Sequence, residues 1–179
     1  MAQYRENTLY QTGKIRYVLQ QVEQKEDMTQ EIWDPLRKKN VALTPEERVR
    51  QWFISAVLKG VMGVPEHMMR SEVEFRLGEK SLRADILVYG RNAAPLAVVE
   101  CKRPDVELTS DVLMQVVRYN MVLNVSDIFV TNGKKTVGFA LSEGMDMPMQ
   151  LSAYPSYGEM CRKMVHSEKS TDSHTDEDR

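Results

Sequence analysis

The spacing of apolar residues changes period several times along the chain, and each change marks an element. From Leu43 the pattern turns helical. Thr44 is a suitable N-cap, Pro45 fits the first turn, and Glu46 and Glu47 suit the helix dipole. Glu47, three positions after Thr44, completes a capping box. The predicted helix runs through ERVRQWFISAVLKGVMG (47–63), with Val49, Phe53, Ile54, Val57 and Leu58 as its buried stripe. Gly60 or Gly63, followed by Pro65, ends it.

Strand-like alternation follows over 73–77, 82–89 and 96–101, with Gly78-Glu79-Lys80 as the first turn. Helical spacing returns in DVLMQVVRYNMVL (111–123), capped by Thr109 or Ser110, with Val112, Val116 and Tyr119 on one face. Residues 127–131 and 136–141 read as two more strands around Asn132-Gly133. The order helix, three strands, helix, two strands predicts an α/β fold with a central mixed β-sheet flanked by helices. Residues 1–40 form an N-terminal arm whose stretch 14–34 reads either as a helix followed by a turn or, the reading preferred, as a predicted hairpin around QKED (24–27), and 41–165 form the main domain. The Met-rich GMDMPMQ (144–150) and the segment up to Val165 are expected to pack over its core. Residues 166–179 are a polar tail expected to be disordered.

Composition narrows the class. Hydrophobic content of 42% and charged content of 28% are those of a globular domain, and no apolar run approaches the roughly 20 residues that span a bilayer. The opening residues show no apolar signal segment, so a cytoplasmic, membrane-free protein is expected. Cys101 and Cys161 form no spaced framework and are expected as reduced thiols; His67, His166 and His174 are too scattered for a zinc site. The formal charge is −2, and the tail holds five acids against two bases, so the remainder is close to neutral. Arg37-Lys38-Lys39 and Lys134-Lys135 are local basic clusters, each by itself an ordinary solvated surface.

Two carboxylates break the apolar strands. With the turn after 82–89 centred between Asn92 and Ala93, Asp85 falls opposite Glu100 and Arg83 opposite Lys102. Alternation groups Asp85, Leu87 and Tyr89 on one face, and Val98, Glu100 and Lys102 on one face. Both acids are then expected on the same side of the sheet, roughly 5 Å apart, where like charges repel. Three arrangements answer that repulsion: a salt-bridge cluster with Lys102 and Arg83, a shared proton, or a divalent cation held between hard oxygens. Glu47 enters from the first helix with Glu46 beside it, and Gln115 and Tyr119, spaced i and i+4, share a face of the second.

Together these residues resemble the PD-(D/E)xK nuclease superfamily, nearest the N-terminal nuclease domain of type I restriction enzyme R subunits and its small stand-alone relatives. The segments carrying the resemblance are DPLRKK (34–39), LTPEERVRQWFI (43–54), RADILVY (83–89), VVECKRPDVEL (98–108), QVVRYN (115–120) and FVTNG (129–133). The resemblance implies a restriction-endonuclease-like core of αβββαβ order and metal-dependent hydrolysis of DNA phosphodiester bonds. It implies Asp85, Glu100, Glu47 (or Glu46) and the Cys101 carbonyl as ligands of Mg²⁺, with Mn²⁺ as a substitute. Lys102 would be the motif lysine, and Gln115 and Tyr119 the Gln-x-x-x-Tyr pair of the RecB-like branch. Ala84 stands where the superfamily's name puts proline. Restriction-system subunits or a second copy of the chain are the implied protein partners. No translocase segment accompanies the motifs, so ATP-driven cleavage is not implied.

Overall fold

In the computed structural model, residues 30–110, 114, 122–141 and 148–163 are described. The hairpin predicted around residues 24–27 and the tail 166–179 lie outside them, as do Gln115 and Tyr119. The first described element is a hairpin that the apolar pattern did not announce. Strand β1 (Glu31–Asp34) pairs antiparallel with β2 (Lys39–Ala42), and Lys38 in the turn adopts a left-handed backbone.

Helix α1 (Pro45–Trp52) begins where the capping residues predict, with Thr44 Oγ1 accepting the Glu47 N–H at 3.1 Å. The reciprocal half of the capping box is not made. The Thr44 N–H donates to the Ala42 carbonyl instead, and the Glu47 side chain turns to three cationic or amide donors. From Phe53 to Lys59 the helix widens to π geometry, and the Met62 N–H reaches back five residues to Val57. Val49, Phe53, Ile54, Val57 and Leu58 are all buried, as the stripe required. No helix among the described residues is long and apolar enough to cross a membrane.

A short 3₁₀ turn (Glu66–Met68) leads into a six-stranded sheet of order β3-β4-β5-β6-β7-β8. Its strands are β3 (Met69–Leu77), β4 (Lys80–Tyr89), β5 (Pro95–Cys101), β6 (Asp127–Thr131), β7 (Thr136–Ala140) and β8 (Met149–Gln150). The β5–β6 pair is parallel and the other pairs antiparallel. Ser110, Met114, Val122 and Leu123, in the crossover between β5 and β6, are helical. Among the described residues the order is therefore the predicted helix, three strands and two strands, with helical residues in the crossover and with β1, β2 and β8 added. In the centre, Phe129 of β6 lies opposite Gly138 of β7, where a Cβ would come within 2.9 Å of the ring.

One core lies under α1, joining Val49, Phe53 and Leu58 to Ile86, Val88, Val99 and Phe129. The other face packs Leu87, Val98, Ile128 and Val130. Strand β4 does not keep its faces. Ile86 and Val88 sit under α1, yet Leu82 and Ala84, at the same parity, pack in the second core. Strand β3 changes face too, between Met69 and Val73, and Glu72 between them has a left-handed φ of 56°. The register of β3 on β4 sets Glu72 opposite Asp85. Both strands thus turn over at that pair, and the simple alternation expected for Asp85 is corrected there.

Candidate functional site

The predicted hairpin register is observed: Ile86 pairs with Val99, Leu87 with Val98 and Val88 with Ala97. One step further, Asp85 falls level with Glu100, and there the ladder stops. Strand β4 runs on paired to β3 alone, while β5 continues against β6 through Cys101. Asp85 therefore stands at a fork. Its Oδ2 accepts the main-chain N–H of Cys101 at 2.6 Å, taking the place of a ladder carbonyl. Beyond the fork, the Lys102 N–H donates to the Thr131 carbonyl at 2.8 Å, and Asn132 Nδ2 donates to the Val106 carbonyl at 2.9 Å. These bonds fix the chain that carries Lys102.

Glu100 is buried on β5. Its Oε1 accepts from Lys102 Nζ at 2.7 Å, while Oε2 is buried without a hydrogen-bond partner. Burial, then the Asp85 charge, pushes the Glu100 carboxyl up to about 7, against the pull of Lys102. Burial also disfavours the Lys102 ammonium, but the hydrogen bond and charge of Glu100, with Asp85 behind them, hold it above its ordinary value. Cys101 is fully buried, its thiol pushed well up by burial and then by Asp85, which makes it a core residue. Its main-chain N–H meets the site at Asp85.

The repulsion expected between Asp85 and Glu100 is relieved by a residue that the motif pattern passed over. Arg50, one turn into α1, donates from Nη2 to Asp85 Oδ1 at 2.5 Å. The same guanidinium lies 2.8 Å from Glu72 Oε1 and 3.8 Å from Glu46 Oε1, and its Nη1 bonds Glu47 Oε2. Its own burial opposes the charge, but Asp85 and Glu47 outweigh that and hold it above its ordinary value. Arg83, expected beside the carboxylate pair, lies 2.8 Å from Glu72 instead. The sequence signal for Arg50 was a cation at the margin of the apolar stripe, next to Val49 and four residues before Ile54. Glu72 carried no comparable signal.

The two helix acids have different surroundings. Glu47 Oε2 is shared by Arg50 and Arg37, the latter at 2.7 Å, and Oε1 accepts from Gln51 at 2.8 Å. Glu46 is partly exposed; desolvation and then Asp85 raise its pKa, while Arg50 and Lys102 oppose the rise. Glu46 thus stands within the electrostatic field of the fork, whereas Glu47 anchors Arg50 and Arg37.

Comparison with known proteins fits this geometry. The sequence profile of the type I restriction enzyme R protein N terminus (HSDR_N) matches residues 45–155, which takes in α1, the fork and the whole sheet. The chain belongs to this family. A fragment structure of a putative HsdR subunit of a type I restriction enzyme from Vibrio vulnificus YJ016 is similar, with a TM-score of 0.52 at 22% identity. The similarity covers 69% of this chain and 26% of that one, so the chain spans about a quarter of the Vibrio polypeptide. At that identity the likeness speaks for the fold, which is restriction-endonuclease-like. No curated protein sequence matches.

The HSDR_N family raises the question of a divalent ion at the fork. Among the described residues no three His, Cys, Asp or Glu side chains converge as a ready-made cage. The residues nevertheless suit magnesium, which keeps most of its waters and takes one or two carboxylates together with substrate phosphate. The orphaned, buried Oε2 of Glu100 is the observation that fits: an anionic oxygen with no donor requires a proton or a cation.

Proposed function

We propose that this HSDR_N domain is a magnesium-dependent nuclease of the PD-(D/E)xK type that hydrolyses DNA phosphodiester bonds. The observation carrying the reading is the fork itself. Asp85 and Glu100 come level where β4 leaves β5, Lys102 is bonded to Glu100, and Glu100 Oε2 has no donor. Asp85, Glu100 and the Cys101 carbonyl would hold the ion, with Glu46 as the nearer helix acid. A divalent ion there supplies polarisation of the phosphate and a more acidic water.

The chain's own residues do the rest. Lys102, kept cationic by Glu100 and Asp85, orients the attacking water or stabilises charge developing on the phosphate. The Cys101 N–H locks the Asp85 carboxylate in direction. Gln115 and Tyr119 are proposed to position the nucleic-acid backbone. DNA and restriction-system subunits are the proposed partners. One observation favours a second reading, a catalytically silent nucleic-acid-binding module: Arg50 already neutralises Asp85.

The test is cleavage of duplex, single-stranded and branched DNA with Mg²⁺ or Mn²⁺. Activity that requires the metal and disappears in Asp85→Ala, Glu100→Ala and Lys102→Ala supports the nuclease. Equal cleavage by Lys102→Ala would assign the activity to a contaminant. Uncleaved DNA bound equally in EDTA and Mg²⁺ would establish the silent module.

A further inference from the structure

The motif set gives no role to Arg50 or Glu72, yet both meet at the fork. The Arg50 guanidinium is almost wholly buried, and carboxylates of Asp85, Glu72, Glu47 and Glu46 surround it. Its Nη2 spans two strands, at 2.5 Å from Asp85 Oδ1 and 2.8 Å from Glu72 Oε1. Glu72 has a left-handed backbone within a strand, a conformation that non-glycine residues adopt only at a cost. It is held there by Arg50 on one oxygen and Arg83 on the other.

An ion taking Asp85 Oδ1 as a ligand competes with the guanidinium for that oxygen. Losing Asp85 outright would strand a buried cation, which is expensive. Here it does not, because Glu72 and Glu47 still pair with Arg50. We propose that Arg50 is a resident counter-cation of the acid cluster that cedes Asp85 to the divalent ion, with Glu72 as the retaining anchor that receives it. Arg50 and Glu72 are then positioning residues that set the ion's affinity without touching substrate. The proposal rests on the metal-dependent nuclease reading and adds to it a built-in competitor.

The roles of Arg50 and Glu72 predict opposite effects. Calorimetric titration with Ca²⁺ reads binding without turnover, and melting in EDTA reads the apo protein. Arg50→Gln removes the competitor: Ca²⁺ should bind at least tenfold more tightly, and the melting temperature in EDTA should fall and recover when Ca²⁺ is added. Arg50→Lys should restore part of the EDTA stability. Glu72→Gln leaves Arg50 more dependent on Asp85, so Ca²⁺ should bind several-fold more weakly. Unchanged or weaker Ca²⁺ binding by Arg50→Gln overturns the proposal. If that variant does not fold, unchanged or tighter binding by Glu72→Gln overturns it. Wild type that cleaves DNA with Mg²⁺ while either result holds removes this proposal alone. Wild type that neither cleaves nor binds Ca²⁺, with an Arg50→Gln protein that also binds none, removes the metal-nuclease reading and this proposal with it.

Discussion

Asp85 Oδ2 accepts the main-chain N–H of Cys101 at 2.6 Å, sixteen positions along the chain. A side chain thereby stands in for the strand that has just departed, and the Cys101 N–H keeps an acceptor. The other oxygen is held by Arg50 at 2.5 Å. Asparagine keeps an acceptor for the N–H but loses the charge facing Arg50; alanine loses both. In EDTA, Asp85→Asn should therefore be less stable than wild type, and Asp85→Ala less stable again by roughly 1–3 kcal/mol. Urea unfolding checks the order. A stabilised Asp85→Asn would mean that repulsion from Glu100 outweighs the Arg50 pair.

Glu100 predicts a pH dependence. Its carboxyl is raised from an ordinary 4.5 to about 7 by burial and then by Asp85, with Glu46 adding to the rise and Lys102 opposing it. A raised folded-state pKa means the unfolded chain gives up this proton first. The associated stability is complete below about 4.5 and is lost as pH climbs through 7. The loss amounts to about 3 kcal/mol at most. In EDTA, wild type should weaken between pH 5 and pH 8 relative to Glu100→Gln, measured by urea unfolding at each pH. Parallel profiles for the two proteins would show that Glu100 ionises freely.

The register of β4 on β5 was legible because an apolar run, a short polar turn and a second apolar run leave few ways to pair. The helix start was legible for a similar reason: Thr44 and Pro45 act locally. The facing of Asp85 was not legible. Alternation assumes an unbroken strand, and the turnover at Glu72 uses a left-handed glutamate, where a glycine or asparagine would have signalled it. Only the reciprocal half of the capping box is missing, because the Glu47 side chain found stronger, charged partners in Arg37 and Arg50. The β1–β2 hairpin was missed because its strands are four residues each and its turn, Pro35-Leu36-Arg37-Lys38, lacks glycine.

Gln115 is expected to support the reaction without holding the ion. Gln115→Ala should reduce Mg²⁺-dependent cleavage by less than Asp85→Ala does, and Tyr119→Phe should be milder still if the ring serves mainly as core. Cleavage rates at saturating Mg²⁺ rank the three. A Gln115→Ala protein that unfolds would make that residue structural.

Arg37 ties the hairpin to the helix that carries Arg50. The Asp34 carboxylate is fully buried; its Oδ1 accepts the N–H groups of Leu36 at 2.7 Å and Arg37 at 3.0 Å, and Oδ2 pairs with Arg37 Nε. Burial would raise the Asp34 carboxyl, but the Arg37 and Leu36 bonds outweigh it and hold it below its ordinary value. Its contribution to stability is thus present above about pH 4 and is lost as pH falls through the lowered value. Arg37 Nη2 reaches Glu47 at 2.7 Å, so one side chain connects β1–β2 to α1. Arg37→Ala should cost roughly 1–3 kcal/mol by leaving Asp34 short of a charged partner. Because the lost contacts join two elements, the cost should appear first as local opening. Hydrogen exchange should quicken at the paired amides of Ile32 and Val41 while those of Phe53 and Val57 stay protected. Uniform acceleration across hairpin and helix would show instead that the hairpin and α1 open as one unit.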